Sequence, residues 1–417
     1  MTNRAAVGVC CAVFLLLLPY RAHAQWQWIG PPGGLLGGFA QDPSNPNTLY
    51  AVPQASPASL FKSTDHGQHW ARMSSVGVYP YGMCIHPTSP STLYVVGGSI
   101  RRSTNGGSSW SSVNVPASYY LLDLVLQPGN PSILHAAGYR YDQALQMPLL
   151  AHLKSTNGGA DWTTKELTTT YGYPYAVVVD PANTQVVYVC GHVESGGNYY
   201  GKVFKSSNGG TDFVDKTGVI TGYVYDLAHD PVTAGKLYAV SGSGIYRTTD
   251  GGSTWTRNTG YVPSPERIAI CPSSPSMLYV GTSMGGVYKS TDGGVVWTPA
   301  ASGIYGTRAM GLIVENSSNV FFATTAGVFG TTDGGTSWSC CNAGLSATRI
   351  TSVRHAPSNP AVVYVGISGE AVYKTTTAGQ GSVTWERIPD FYSCTEVADI
   401  AVSETSPDVL YALEGGT

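Results

Sequence analysis

The stretch "RTTDGGSTW" at residues 247 to 255 places one carboxylate, Asp250, among hydroxyls and glycines with a tryptophan behind it. An acid in that setting could transfer a proton or attack a substrate, ligate a cation, or tie down a turn. Glycosidic acid/base work needs a second carboxylate about 5 to 10 Å away. A calcium loop needs more alternating oxygen ligands than "TDGG" supplies. A turn needs only an acceptor for backbone N–H groups and glycines able to take positive φ.

The rest of the chain favours the turn. The pattern recurs as "KSTDHGQHW" (62–70), "RSTNGGSSW" (102–110), "KSTNGGADW" (154–162), "KSSNGGTDF" (205–213), "KSTDGGVVW" (289–297) and "GTTDGGTSW" (330–338), with a degenerate copy, "KTTTAGQGSVTW" (374–385). Its acid or amide falls at Asp65, Asn105, Asn157, Asn208, Asp250, Asp292 and Asp333, at intervals of 40 to 52 residues. An amide neither donates a proton nor attacks, and one active site does not need a carboxylate in every repeat. All seven positions are read as structural.

A second signature runs in phase, as in "DPSNPNTLYA" (42–51), "HPTSPSTLYV" (86–95), "DPANTQVVYV" (180–189) and "CPSSPSMLYV" (271–280). Each unit reads strand, proline-rich turn, strand, loop, strand, glycine turn and an outer strand opened by tryptophan. Four strands in about 40 to 45 residues is the size of a β-propeller blade. Inner strands such as "YGMCIHP", "YAVVVDP" and "YDLAHDP" read as apolar enough to lie sandwiched between blades. The expected fold is all-β, a β-propeller of four-stranded antiparallel blades over residues 25–417 with about eight to nine repeats. A seven-bladed ring with extra blades is the alternative. "WQWIG" (26–30) could supply the strand that closes the ring, and "LYALEGGT" stops where a third strand is expected, as in a chain cut within a blade.

Residues 1–24 combine an early charge, Arg4, an apolar run from Ala5 to Leu18 and an Ala22-His23-Ala24 cleavage pattern, which reads as a secretory signal peptide. That predicts a secreted, periplasmic or cell-surface protein with no membrane insertion after cleavage. Without the leader, 20 basic and 25 acidic side chains remain, a formal charge of −5. No basic field exists to attract nucleic acid. Six cysteines remain, without zinc-type spacing. Cys84, Cys190 and Cys271 read as buried strand residues, and Cys341 with Cys394 as a candidate bridge. Neither the histidines nor any glycine motif suggests a metal or a cofactor, and the chain reads as a monomer.

The Ser/Thr-x-Asp-x-Gly-x-x-Trp pattern resembles the Asp-box, or bacterial neuraminidase repeat, of sialidase-like propellers, sortilin-type receptors and xyloglucan-active glycosidases. The resemblance implies turns on the bottom rim and a functional site on the opposite, top face. Counting back six residues from each proline gives a ring of top-face positions: Tyr81, Leu122, Tyr175, Tyr225, Glu266 and Thr351. Tyr120, Tyr173, Tyr223, Arg267, Arg308, Arg349 and Glu396 fall near the same level. The longest loops, "GYRYDQALQMPLL" (138–150) and "GHVESGGNYYG" (191–201), lie in consecutive blades. With "YGYPY" (171–175) they would gather Tyr139, Arg140, Tyr141, Asp142, Tyr173, Tyr175, His192, Glu194, Tyr199 and Tyr200 on one sector as a binding surface, with Tyr225 of the ring as a further binding residue. Aromatic faces beside a few polar groups suit an extracellular glycan or protein; alternatively the tyrosines only pack loops together.

The resemblance also implies what a hydrolase would need. Glu266, Asp142 and Glu194 are the catalytic candidates, paired as Glu266 with Glu396 or Asp142 with Glu194. The chain departs from the xyloglucan-active pattern in having no acid between Asp42 and Asp65. It departs from the sialidase pattern in carrying "ERIPD" (386–390) after Trp385, which puts Arg387 on an outer strand. The reading is therefore a binding or scaffold propeller. A glycoside hydrolase and a partner binder resembling photosystem assembly factors are the alternatives.

Overall fold

The computed structural model describes residues 33–283, 286–304, 308–343, 350–367, 371–377, 384–388, 397–403, 408 and 410–414. The leader, "WQWIG", Arg349, Cys394 and Glu396 lie outside them. All regular elements in the described residues are β-strands, arranged as eight four-stranded antiparallel sheets and one two-stranded sheet. Strands adjacent in sequence are adjacent in every sheet. These blades, numbered 1 to 9, span 36–75, 82–113, 119–166, 172–215, 224–257, 265–299, 309–340, 350–387 and 397–414.

The second strand of each blade is the most buried. Leu49–Pro53, Leu237–Ser241 and Leu278–Thr282 have no exposed residue, because each has a strand on either edge and a blade on either face. The inner strands read as sandwiched between blades are only partly buried, as in Val224–His229, where Val224 and Leu227 are buried and the other four residues half-buried, because one edge borders the central channel. Cys190 is buried, Cys84 is partly buried, and Cys271 is buried just beyond its inner strand; all three are free thiols.

The ring closes at seven blades. The inner strand of blade 7, Ala309–Val314, packs against that of blade 1, Leu36–Gln41. Phe321, Ala323 and Val328 share one core with Leu36, Leu49, Phe61 and Trp70. The Trp70 indole N–H donates to the Cys341 carbonyl at 2.7 Å, and its backbone N–H to the Ala343 carbonyl at 2.7 Å. Blades 8 and 9 pack on each other through Ala356, Val362, Tyr364, Val372, Val397 and Ile400. The seven-bladed ring with extra blades is thus the arrangement adopted.

The repeated glycine turns divide the bonding differently from a simple Asx turn. The Thr248 hydroxyl donates to Asp250 Oδ1 at 2.7 Å and accepts the Gly252 N–H at 3.0 Å. Asp250 Oδ1 accepts the amide four residues on, that of Thr254, at 2.9 Å, rather than the one two residues on. Asn105, Asn157 and Asn208 accept the corresponding amides at 2.9 Å, so amide and acid are equivalent here. Gly251 and Gly252 take φ of 68° and 85°, where a side chain would be strained. Hydrogen bonds from Thr254 and Thr248 hold the Asp250 carboxyl far below the usual carboxylate range, suited to an acceptor and unsuited to proton transfer. Thr248→Val leaves the buried Gly252 amide unpaired and should lower stability by about 1–3 kcal/mol in denaturant melts, with Thr248→Ser close to wild type.

These turns also join neighbouring blades. Between blades 4 and 5, 5 and 6, and 6 and 7, the second-strand tyrosine and the base before the turn both reach the first glycine of the next blade's turn. Tyr188 and Lys205 donate to the Gly251 carbonyl at 3.2 and 3.0 Å, and Tyr279 and Lys289 to the Gly334 carbonyl at 3.0 and 2.8 Å. In blade 3, His135 replaces the tyrosine. Its Nδ1 lies 3.0 Å from His152 Nε2, with both rings buried. Burial lowers His135 from 6.5 to about 4 and pushes His152 well below its ordinary value. The folded pair stays neutral while the unfolded chain takes up protons, so its stabilising contribution is present above pH 6.5 and is lost as pH falls towards about 4. The wild-type melting temperature should fall through that window, and more steeply than that of His152→Gln.

Candidate functional site

Inner-strand bulges build the top face. The register skips Gly37, Leu122, Tyr175, Tyr225, Glu266 and Met310 in blades 1, 3, 4, 5, 6 and 7. A bulge inserts one residue and re-aims its side chain. Four of these, Leu122, Tyr175, Tyr225 and Glu266, belong to the ring inferred from proline spacing. Tyr81 occupies the matching place in blade 2, with its N–H bonded to the Val96 carbonyl.

The tyrosines form a continuous aromatic wall across blades 2 to 5. Centroid separations are 5.6 Å for Tyr79 to Tyr81, 6.3 Å to Tyr120, 5.3 Å to Tyr139 and 5.4 Å to Tyr173. The wall continues through Tyr175 at 5.9 Å to Tyr225 at 5.4 Å. His192 stacks on Tyr223 at 4.4 Å, with Tyr171 and Tyr199 at 5.8 and 5.5 Å. Its Nδ1 is buried without a hydrogen-bond partner, and burial lowers its pKa, keeping the ring neutral. Burial and the neighbouring Tyr120 push Tyr81 upward, so its phenol stays protonated. Tyr79, Tyr81, Tyr120, Tyr199 and Tyr200 are exposed. The wall can thus offer ring surface and hydroxyl groups to a ligand.

The other sequence candidates separate from this wall. Arg140 follows Tyr139 on the same strand, so pleating turns it to the opposite face. There its guanidinium pairs with Asp142 at 2.9 Å and Glu166 at 2.8 Å. Asp142 also accepts the Ala144 and Leu145 amides, which holds its carboxyl below the usual range. Exposed Tyr141 meets Gln146 at 3.4 Å in the same hairpin. Glu194 accepts the Gly197 amide at 2.6 Å across its own hairpin. Glu266 is buried and paired with Arg308 at 2.9 Å. Asp142 and Glu194 sit at two different hairpins, each bonded within its own; Arg387 lies on the outer strand of blade 8.

Two acids in the channel escaped sequence reading. Asp123 and Asp226 lie one position beyond the bulges, in the channel lining with Arg267. Each carboxylate spans a blade junction. Asp123 accepts Leu124 and Val177 amides, and Asp226 accepts Leu227 and Ile268 amides, at 2.9 to 3.0 Å. Burial raises Asp123 and holds Asp226 up at about 6 despite the attraction of Arg267. The available signal was an acid within each apolar inner run, "LLDLV" and "VYDLA". Among the described residues no cluster of three or more metal-ligating side chains occurs.

Fold and face together define a seven-bladed β-propeller with a tyrosine-rich top. No family model matches the sequence, and no curated protein matches it. Solved structures do. A GH74 xyloglucanase from Xanthomonas campestris superposes with a TM-score of 0.64 at 15% identity, over 91% of this chain and 71% of that one. YCF48 from Cyanidioschyzon merolae superposes with a TM-score of 0.54 at 14% identity, over 73% of this chain and 97% of that one. The extracellular domain of BT4673 from B. thetaiotaomicron gives 0.54 at 12% identity, covering 92% of this chain and 50% of that one. At these identities the likeness concerns fold alone. Among the described residues no helix is long and apolar enough to cross a membrane.

Proposed function

We propose that this chain is an exported, monomeric, non-catalytic binding propeller of the Asp-box type, recognising an extracellular glycan or protein with its top face. The observation that carries this reading is the wall from Tyr79 to Tyr225, whose rings are ordered by mutual contact before any ligand arrives. Prior ordering removes part of the side-chain entropy cost of binding. The engagement of Asp142, Glu194 and Glu266 in turns and an ion pair supports binding over hydrolysis. Fold likeness to YCF48, one structure of which is bound to a D1 peptide, keeps a polypeptide partner in view.

A glycoside hydrolase is the second reading. It draws on the fold likeness to xyloglucanases and on Glu266 at an inner-strand bulge. Product analysis after incubation with xyloglucan and a panel of fluorogenic glycosides separates the two. The binding reading expects no turnover. Turnover abolished by Glu266→Gln would establish the hydrolase instead.

A further inference from the structure

The ring axis holds a cavity of about 180 Å³ lined by the inner strands of all seven blades. Most lining positions just beyond the bulges are small: Gly38, Gly82, Ala176 and Gly311. The three that are not small all carry charge: Asp123, Asp226 and Arg267. A Cβ added at Gly311 would meet nothing closer than 3.9 Å, so the space exists because side chains are missing there.

The charges are held apart. Arg267 donates from Nε to the Met310 carbonyl at 3.4 Å and from Nη1 to the Glu266 carbonyl at 3.1 Å, not to either carboxylate. Each Asp123 and Asp226 oxygen accepts one main-chain N–H, which fixes the carboxylate and leaves that oxygen a second lone pair. The two acids lie deep in the protein yet remain partly accessible, because the channel surface itself admits a water-sized molecule.

We propose that this channel binds a small zwitterion of the amino-acid class, with its carboxylate towards Arg267 and its ammonium towards Asp123 and Asp226. A simple anion would face two carboxylates, and a simple cation would face a guanidinium. A molecule with both charges satisfies both ends. Arg267 keeps Nη2 and the second Nη1 hydrogen for a carboxylate, and an ammonium offers three donors to the free lone pairs. The volume corresponds to roughly six waters of liquid, which suits glycine, alanine or serine. Tyr81, Tyr175 and Tyr225 line the same cavity. The cavity shares these three rings with the wall but takes its charges from Asp123, Asp226 and Arg267.

The test is calorimetric titration and thermal shift on the whole chain with glycine, alanine and serine, and with acetate and methylamine as single-charge controls. The amino acids should bind at one site per chain and raise the melting temperature, whereas either control at equal concentration should not. Gly311→Leu, which adds bulk to the channel lining while leaving all three charged residues in place, and Arg267→Gln should each weaken binding at least about tenfold. Circular dichroism establishes that each variant is folded, and a misfolded one leaves the other to decide. No amino-acid binding, an equal response to acetate or methylamine, or undiminished binding by a folded variant would overturn the proposal. So would only ordered water in the channel of a structure determined at saturating glycine.

Discussion

Replacing Trp70 by alanine is expected to cost about 3–5 kcal/mol of stability, the range for truncating a large buried aromatic side chain. Its ring is 5% exposed, packs in the core shared by blades 1 and 7, and donates across the junction to Cys341. This junction also lacks the tyrosine and base bonds that join blades 4 to 5, 5 to 6 and 6 to 7. Phe321 stands where Tyr279 brings a hydroxyl, Gly330 where Lys289 brings an amine, and His66 where the turn has glycine. Instead, His66, at φ 62°, pairs with Glu315 at 2.7 Å and sets its ring 4.8 Å from Phe321. Closure therefore rests heavily on Trp70. Denaturant unfolding should register the loss. Hydrogen exchange should rise first in Leu36–Gln41 and Val320–Thr324, the strands flanking the junction. A cost below about 1 kcal/mol would mean that the ring is closed by other contacts.

Removing Tyr139 and Tyr173 together is expected to weaken partner binding at least about 30-fold, as when one strong interface anchor is lost. Tyr139 stacks on Tyr120 with planes 21° apart and reaches Tyr173 at 5.4 Å, so the pair bridges the two halves of the wall. Val214→Ala, on the exposed outer strand of blade 4, is the matched control and should bind as wild type. The comparison is read by titration in solution, after unchanged melting temperatures establish that both variants are folded.

Repeated features of this fold were legible in sequence because each repeat is an independent copy of the same local physics. The glycine turn declared itself seven times, and asparagine at 105, 157 and 208 revealed an acceptor rather than an acid. The ring of Tyr175, Tyr225 and Glu266 followed from proline spacing, since the bulge keeps a fixed distance from the turn. Blade number was not legible, because closure depends on blade 7 meeting blade 1 across the ring. That meeting is marked in the sequence by departures from the repeat such as His66, Phe321 and Gly330. Proximity along the chain also misled: Tyr139 and Arg140 are neighbours in sequence, yet pleating sends one to the wall and the other to Glu166. Asp123 and Asp226 went unread because an apolar run suggested a dry strand, whereas its inner edge borders an accessible channel.

The most direct test of the central claim is one array experiment. Labelled wild-type protein and the Tyr139→Ala/Tyr173→Ala variant are applied side by side to printed extracellular glycans and peptides. A defined set of ligands should bind the wild-type protein and lose its signal in the folded variant. Ligands retained undiminished by the variant would contradict a binding face built on the tyrosine wall.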